Sequence, residues 1–279
     1  MATADTSTES TARKDAVTQP PKVSPAFTWC FHQYLPKFVR KNFHAVGLLK
    51  RGGCPCPDVP AEGPLIVVLN HPSWWDPLMG LLLAKHCFPE RQFRAPIDAA
   101  MLAKYRVFAM LGFYGVDQSS AAGARDFLRT SRAICGAVGE SIWLTPEGRF
   151  ADVRDDAELE PGAGHLLSKL DRGTLLPLAA EYPFWEEKRP EALAAFGEPV
   201  SIADNAGLSK AGWTELVRAR LRETQAELAA ASVARDPAAF ELVLSGEAGV
   251  GGFYDLGRRL KAWATLRRFR PEHGAKFNG

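Results

Sequence analysis

Apolar and polar positions along the chain follow two rhythms in alternation. Leu65–Leu69, Ser141–Thr145 and Thr174–Ala180 are continuous apolar runs of strand length, the pattern of strands buried on both faces. Phe93–Ile97, Phe113–Val116 and Ala192–Phe196 are shorter strand candidates. Between them, Trp75–Ala84, Ala99–Leu111, Ala121–Val138, Gly164–Leu170 and Lys210–Ala231 carry helical composition and spacing. Strands alternating with helices predict an α/β fold, a largely parallel sheet flanked by helices. An N-terminal helical segment precedes it, and a basic C-terminal helix, Phe253–Phe269, follows a Gly-rich break.

The expected organisation has four parts. Residues 1–24 read as a disordered tail, and residues 25–51 as an amphipathic helical segment. Residues 52–235 form the main domain, opening on a Gly/Pro linker, and residues 236–279 form a basic extension. In the amphipathic segment Trp29, Phe31, Tyr34, Leu35, Phe38, Val39 and Phe43 make a broken stripe. Pro36 divides it, so two short helices are expected. Such a segment either lies on an anionic bilayer, rings inward, or packs on the domain with a solvated basic face.

Charge sharpens this picture. The net charge is +2, yet Lys22–Arg51 holds six cations and no acid, and Gly251–Gly279 holds seven cations against two acids. Both flanks are basic and the centre is acidic. No nucleic-acid-binding module accompanies the basic ends, so nucleic acid is not an expected partner. No stretch reaches the roughly 18 apolar residues of a membrane span, and no secretory signal is visible. The expected location is cytoplasmic, peripheral at the inner face of the membrane. Five scattered cysteines (Cys30, Cys54, Cys56, Cys87 and Cys135) read as reduced thiols. Cys54 and Cys56 are too close for a standard metal pair. The set His71, Asp76 and His86 lacks metal-ligand spacing, so no metal is expected.

Candidate chemistry lies where apolar strands end. After Leu65–Leu69 comes "NHPSWWDP", with His71 and Asp76 five positions apart. On a straight helix the two would stand about 140° apart, but Pro72 and Pro77 argue for a turn that brings them together. An imidazole beside a carboxylate holds one tautomer and gains basicity. A histidine capping a helix is the plainer alternative. A second polar turn, "PEGRF" from Pro146 to Phe150, follows the strand at Ser141–Thr145. The two turns suggest one shared mouth.

Asn70-His71 through Asp76 resembles the His-x-x-x-x-Asp box of the glycerolipid (lysophosphatidate-type) acyltransferases. Pro146-Glu147-Gly148-Arg149 resembles their Pro-Glu-Gly box. "GFYGVDQ" (Gly112–Gln118), "EPGAGHLL" (Glu160–Leu167) and "LLPLAAEY" (Leu175–Tyr182) are similar to the blocks between and after them, so the resemblance spans roughly residues 62–200. It implies an acyltransferase that moves a fatty acyl group from a thioester to a lipid hydroxyl. His71 would be the general base and Asp76 its orienting partner. Glu147 and Arg149 would bind the acceptor head group. Backbone N–H groups near Gly148 or Ser73 would meet the oxyanion, and Trp74 would make an aromatic mouth. The implied partners are an acyl-CoA or acyl carrier protein thioester, a lipid acceptor and a membrane surface. No bound cofactor is implied. The middle block ends in Gln118 where relatives carry a phosphate-binding arginine. This leaves lysophosphatidate, another lyso-lipid or a phosphate-free hydroxylated lipid open as acceptor. A non-catalytic lipid-binding protein on the same fold is the competing expectation.

Overall fold

A computed structural model describes residues 20–246. The helix expected at Phe253–Phe269 and most of the expected tail lie outside the described residues. The described residues build one mixed sheet of nine strands. In chain order the strands are β1 (Ala45–Leu49), β2 (Leu65–Leu69), β3 (Gln92–Asp98), β4 (Phe113–Val116), β5 (Glu140–Leu144), β6 (Thr174–Glu181), β7 (Glu191–Phe196), β8 (Val200–Ser201) and β9 (Phe240–Ser245). Their spatial order is β4-β3-β5-β2-β6-β7-β1-β9, with β8 pairing β6. From β4 across to β6 every pair is parallel, as are β1 and β7. The pairs β6–β7, β6–β8 and β1–β9 are antiparallel.

The two faces of the sheet hold separate cores. Leu65, Val67 and Leu69 of β2 face one way, toward α1 (Pro25–Asn42) and α2 (Asp76–Cys87). Ile66 and Val68 face the other way. That side is covered by α5 (Ala121–Cys135), α6 (Gly162–Leu167) and α7 (Lys210–Ala234). Every residue of β2 and β5 is buried, the expected state of central strands in a parallel sheet. Two short helices, α3 (Ala99–Lys104) and α4 (Val107–Met110), connect β3 to β4.

Several elements differ from expectation, each for a physical reason. α1 is one continuous helix through Pro36, not two. Ser24 caps it, accepting a hydrogen bond from the Phe27 N–H. Leu35 and Val39 are wholly buried on its inner side, and Phe38 packs on Trp75 at 5.6 Å. Burying two such side chains is worth roughly 3–6 kcal/mol, enough to offset a proline in the helix at about 3 kcal/mol. Residues 45–49 leave the amphipathic segment altogether and form β1 inside the sheet. The helix expected at Ala99–Leu111 breaks at Tyr105–Arg106, because neither half buries a residue that would hold it straight. Phe240–Ser245 lies past the expected domain end, yet it pairs with β1 as an edge strand.

Cys56 and Cys87 are bonded as a disulfide, which ties the linker to the C-terminal end of α2. The expectation of reduced thiols therefore fails for this pair, since 31 residues of sequence separate two positions that the fold makes neighbours. Cys30, Cys54 and Cys135 remain thiols. No described helix is long and apolar enough to cross a membrane.

Candidate active site

β2 ends at the centre of the sheet, and Asn70 extends its pairing by side chain. Its Nδ2 donates to the Ala180 carbonyl at 3.0 Å, and its Oδ1 accepts from the Ala180 N–H at 2.8 Å. The backbone is thereby released from the ladder and turns through Pro72 and Ser73 into α2. Asp76 is the first residue of that helix and His71 stands before the turn. Their side chains meet, His71 Nδ1 lying 2.7 Å from Asp76 Oδ2. The carboxylate accepts from Nδ1–H, so the lone pair of the neutral ring sits on Nε2.

Asp76 is 1 % exposed, and its oxygens are fully engaged. Oδ2 also accepts from the Ser73 N–H at 3.0 Å. Oδ1 accepts from the Tyr182 hydroxyl at 2.7 Å. Burial, and then the Asp76 charge, push the Tyr182 hydroxyl well above its usual range, so at neutral pH it remains a proton donor. The Tyr182 ring leans on Phe43 at 5.7 Å, and Phe43 meets Trp75 edge-on at 4.9 Å.

The second turn closes on the first. Glu147 Oε2 accepts from the His71 N–H at 2.7 Å, and the Ala151 N–H donates to the His71 carbonyl at 3.0 Å. Glu147 is 4 % exposed, and its other oxygen meets Arg222 Nη1 of α7 at 3.3 Å. Arg222 also donates to Gln225, Ala157 and Asp156. Glu147 lines neither of the two cavities beside His71, and its two oxygens clamp the turns to each other and to α7. The two backbone donors proposed for the oxyanion are also engaged. The Gly148 N–H donates to the Thr145 carbonyl at 3.1 Å, and that of Ser73 to Asp76. Gly148 itself, at φ +65°, sits under Glu160, whose Cγ would lie 2.8 Å from a Cβ added there.

Arg149 and Trp74 border open space. Both line the cavity that holds His71, and they are among its most open members, with the Arg149 side chain 62 % exposed and Trp74 57 % exposed. Trp75, by contrast, is packed against the core. His86 lies at the far end of α2 on Glu241, 3.1 Å away, so His71, Asp76 and His86 are not assembled into one site.

Two cavities meet beside this constellation. The first, about 380 Å³, runs from His71 and Trp74 beneath α2 between Leu78, Phe93, Phe108, Phe113 and Trp143. The second, about 620 Å³, lies on the other face among α5, α6 and α7. They share Pro96, Ile97, Gln118, Thr145 and Gly148. Both are of ligand-binding size. Tyr182, Arg222 and Asn70 had not been singled out from the sequence as site residues. Asn70 and Tyr182 stand inside the quoted blocks, whereas Arg222 is one of several arginines on a long helix and carries no local signal.

Residues 57–181 match the family model for Acyltransferase. No curated protein matches the chain. Among solved structures, the 1-acyl-sn-glycerophosphate (LPA) acyltransferase PlsC from Thermotoga maritima is similar at 14 % identity, with a TM-score of 0.44 over 74 % of this chain and 79 % of that one. The matched segment begins in the linker, runs through both polar turns and ends on the last residue of β6; over these residues the chain carries an Acyltransferase domain, which supports an acyltransferase enzyme.

Proposed function

We propose that the protein transfers a fatty acyl group from an acyl-CoA or acyl carrier protein thioester to a hydroxyl of a lipid acceptor, with His71 as general base. The observation that carries this is the 2.7 Å contact between His71 Nδ1 and Asp76 Oδ2 at the mouth of an apolar cavity. Nε2 takes the proton of the acceptor hydroxyl, and the oxygen attacks the thioester carbonyl. The tetrahedral intermediate collapses, the C–S bond breaks, and the leaving thiolate takes the proton back from His71. Asp76 stabilises the imidazolium between these steps without itself becoming protonated.

The acyl chain occupies the cavity beneath α2, where Phe93, Phe113 and Trp143 give it an apolar wall. The developing oxyanion needs donors held in place before the reaction. The N–H groups of Arg149 and Phe150 suit this role, because no described oxygen accepts from either and both residues line the cavity. The acceptor is drawn from a membrane surface. Trp29 and Tyr34 of α1 and Trp74, Met101, Tyr105 and Phe150 near the mouth are exposed rings and thioethers. Lys37 and Lys104, both exposed, supply cations for anionic head groups.

The deciding experiment incubates the pure protein with radiolabelled palmitoyl-CoA and a total bacterial lipid extract, beside His71→Ala. A labelled lipid made only by the unaltered protein is expected, and identifies the acceptor. Equal labelling by His71→Ala would remove His71 from the mechanism. No transfer from CoA or carrier-protein thioesters by folded protein would instead favour a lipid-binding role.

A further inference from the structure

A base that takes a proton from a lipid hydroxyl can take one from water too. Hydrolysis of a thioester is downhill, and water is the most abundant hydroxyl at any open site. A transferase therefore needs a group that admits the acceptor and turns water away. One side chain beside His71 has the properties such a group requires.

The Asp76 carboxylate occupies the Nδ1 side of the imidazole. The Phe150 ring lies against the imidazole itself, the two ring centroids 4.5 Å apart and the planes tilted by 42°. With these neighbours in place the His71 side chain is only 19 % exposed. Phe150 is itself 57 % exposed and belongs to none of the hydrophobic cores of the sheet. An apolar ring is thus laid on a polar group, with the rest of its surface in solvent. The backbone around it is pinned. The Ala151 N–H donates to the His71 carbonyl at 3.0 Å, and Arg149 Nη1 donates to the Phe150 carbonyl at 3.4 Å. The side chain can still turn, since exposed side chains change rotamer within nanoseconds. Phe150 and His71 line the same cavity, so a turn of the ring opens the imidazole to whatever fills it.

We infer that the Phe150 side chain sets the choice between lipid and water: it covers His71 in the resting site and is displaced by a lipid acceptor, whose apolar chain replaces the contacts the ring gives up. The inference rests on the transferase function proposed above. Water brings no apolar surface, so turning the ring aside for it exposes the ring with nothing in return. Where the ring is cut back, Nε2 takes a proton from water and the water oxygen attacks the thioester carbonyl. The C–S bond then breaks and the thiolate takes the proton from His71, which leaves a free fatty acid and a free thiol. The Phe150 N–H, assigned to the oxyanion above, survives replacement by Ala or Leu. A side-chain change therefore probes the cover apart from the oxyanion.

The test follows thiol release from palmitoyl-CoA without vesicles or acceptor, with palmitate identified by mass. Phe150→Ala is expected to release thiol about tenfold faster than the unaltered protein, a change of ~1.4 kcal/mol. Phe150→Leu, which keeps an apolar cover, should rise less. With a total bacterial lipid extract added, the ratio of palmitate to acylated lipid should rise in Phe150→Ala by a similar factor. The double variant His71→Ala/Phe150→Ala should lose the gain, because the same Nε2 activates the water. A Phe150→Ala protein, folded by circular dichroism, whose palmitate release and product ratio match those of the unaltered protein overturns this inference alone. So does a gain that persists in the double variant. If the unaltered protein makes no acylated lipid and no variant releases thiol, this inference and the transferase function beneath it fall together.

Discussion

The Tyr182 hydroxyl donates to Asp76 Oδ1 at 2.7 Å, while His71 Nδ1 engages the other oxygen of the same carboxylate at 2.7 Å. One carboxylate is thus gripped from two sides, and its rotation about the side-chain bond is blocked. Tyr182→Phe removes one grip and keeps the ring against Phe43. The expected result is a fall in kcat of about tenfold with KM little changed, as for a lost positioning hydrogen bond worth roughly 1.5 kcal/mol. Steady-state kinetics with matched circular dichroism checks it. An unaltered kcat, or a loss confined to KM, would show that the hydroxyl serves packing alone.

Glu147 binds the two polar turns together through the His71 N–H and reaches α7 through Arg222. Glu147→Ala leaves the His71 N–H without its acceptor and takes one of several partners from Arg222, at roughly 1–3 kcal/mol. Glu147→Gln retains an acceptor for the N–H and should lose less. Urea denaturation midpoints for the two variants test that order, and equal midpoints would place the clamp elsewhere.

The Cys56–Cys87 bond closes a loop of 31 residues in sequence. Chain-entropy reasoning assigns such a loop about 3–4 kcal/mol. A reductant should therefore lower the melting temperature of the unaltered protein and leave that of Cys56→Ser/Cys87→Ser where it is. Identical melting curves with and without reductant would argue that the pair contributes nothing to stability.

Trp29 is 66 % exposed and Tyr34 53 % exposed on the outer side of α1. Replacing both with Ser should reduce co-sedimentation with vesicles of one-third anionic lipid, since each buried ring supplies roughly 1.5–3 kcal/mol of transfer energy. Soluble thiol release in detergent should be less affected. Unchanged sedimentation would move the membrane-facing surface to the α3–α4 side of the mouth.

The parallel centre of the sheet was legible because its strands are apolar at every position. The run Leu65–Leu69 cannot be solvated on either face, so it announces a central strand. The edges were harder. Ala45–Leu49 reads as the end of a helix because it is short and follows an aromatic stripe. Phe240–Ser245 alternates weakly because its pairing with β1 shifts register between Val46 and Gly47. At the site, the spacing of His71 and Asp76 around two prolines predicted their meeting, and the two side chains lie 2.7 Å apart. The burial of Glu147 was not legible in the sequence, because it depends on Arg222, 75 residues away. Long-range partners of this kind leave no periodic trace.

The family match ends at residue 181, on the last residue of β6. Tyr182 is the next residue, Arg222 lies on α7, and the partners of β6 on its far side, β7 and β8, come later still. A fragment cut to the matched boundaries would therefore expose an apolar strand edge of the kind that templates aggregation. It would also leave Asp76 and Glu147 each short of a donor. The smallest unit worth expressing for crystallisation or screening runs from α1 through β9, because β1 and β9 pair with each other and complete the sheet beyond β7.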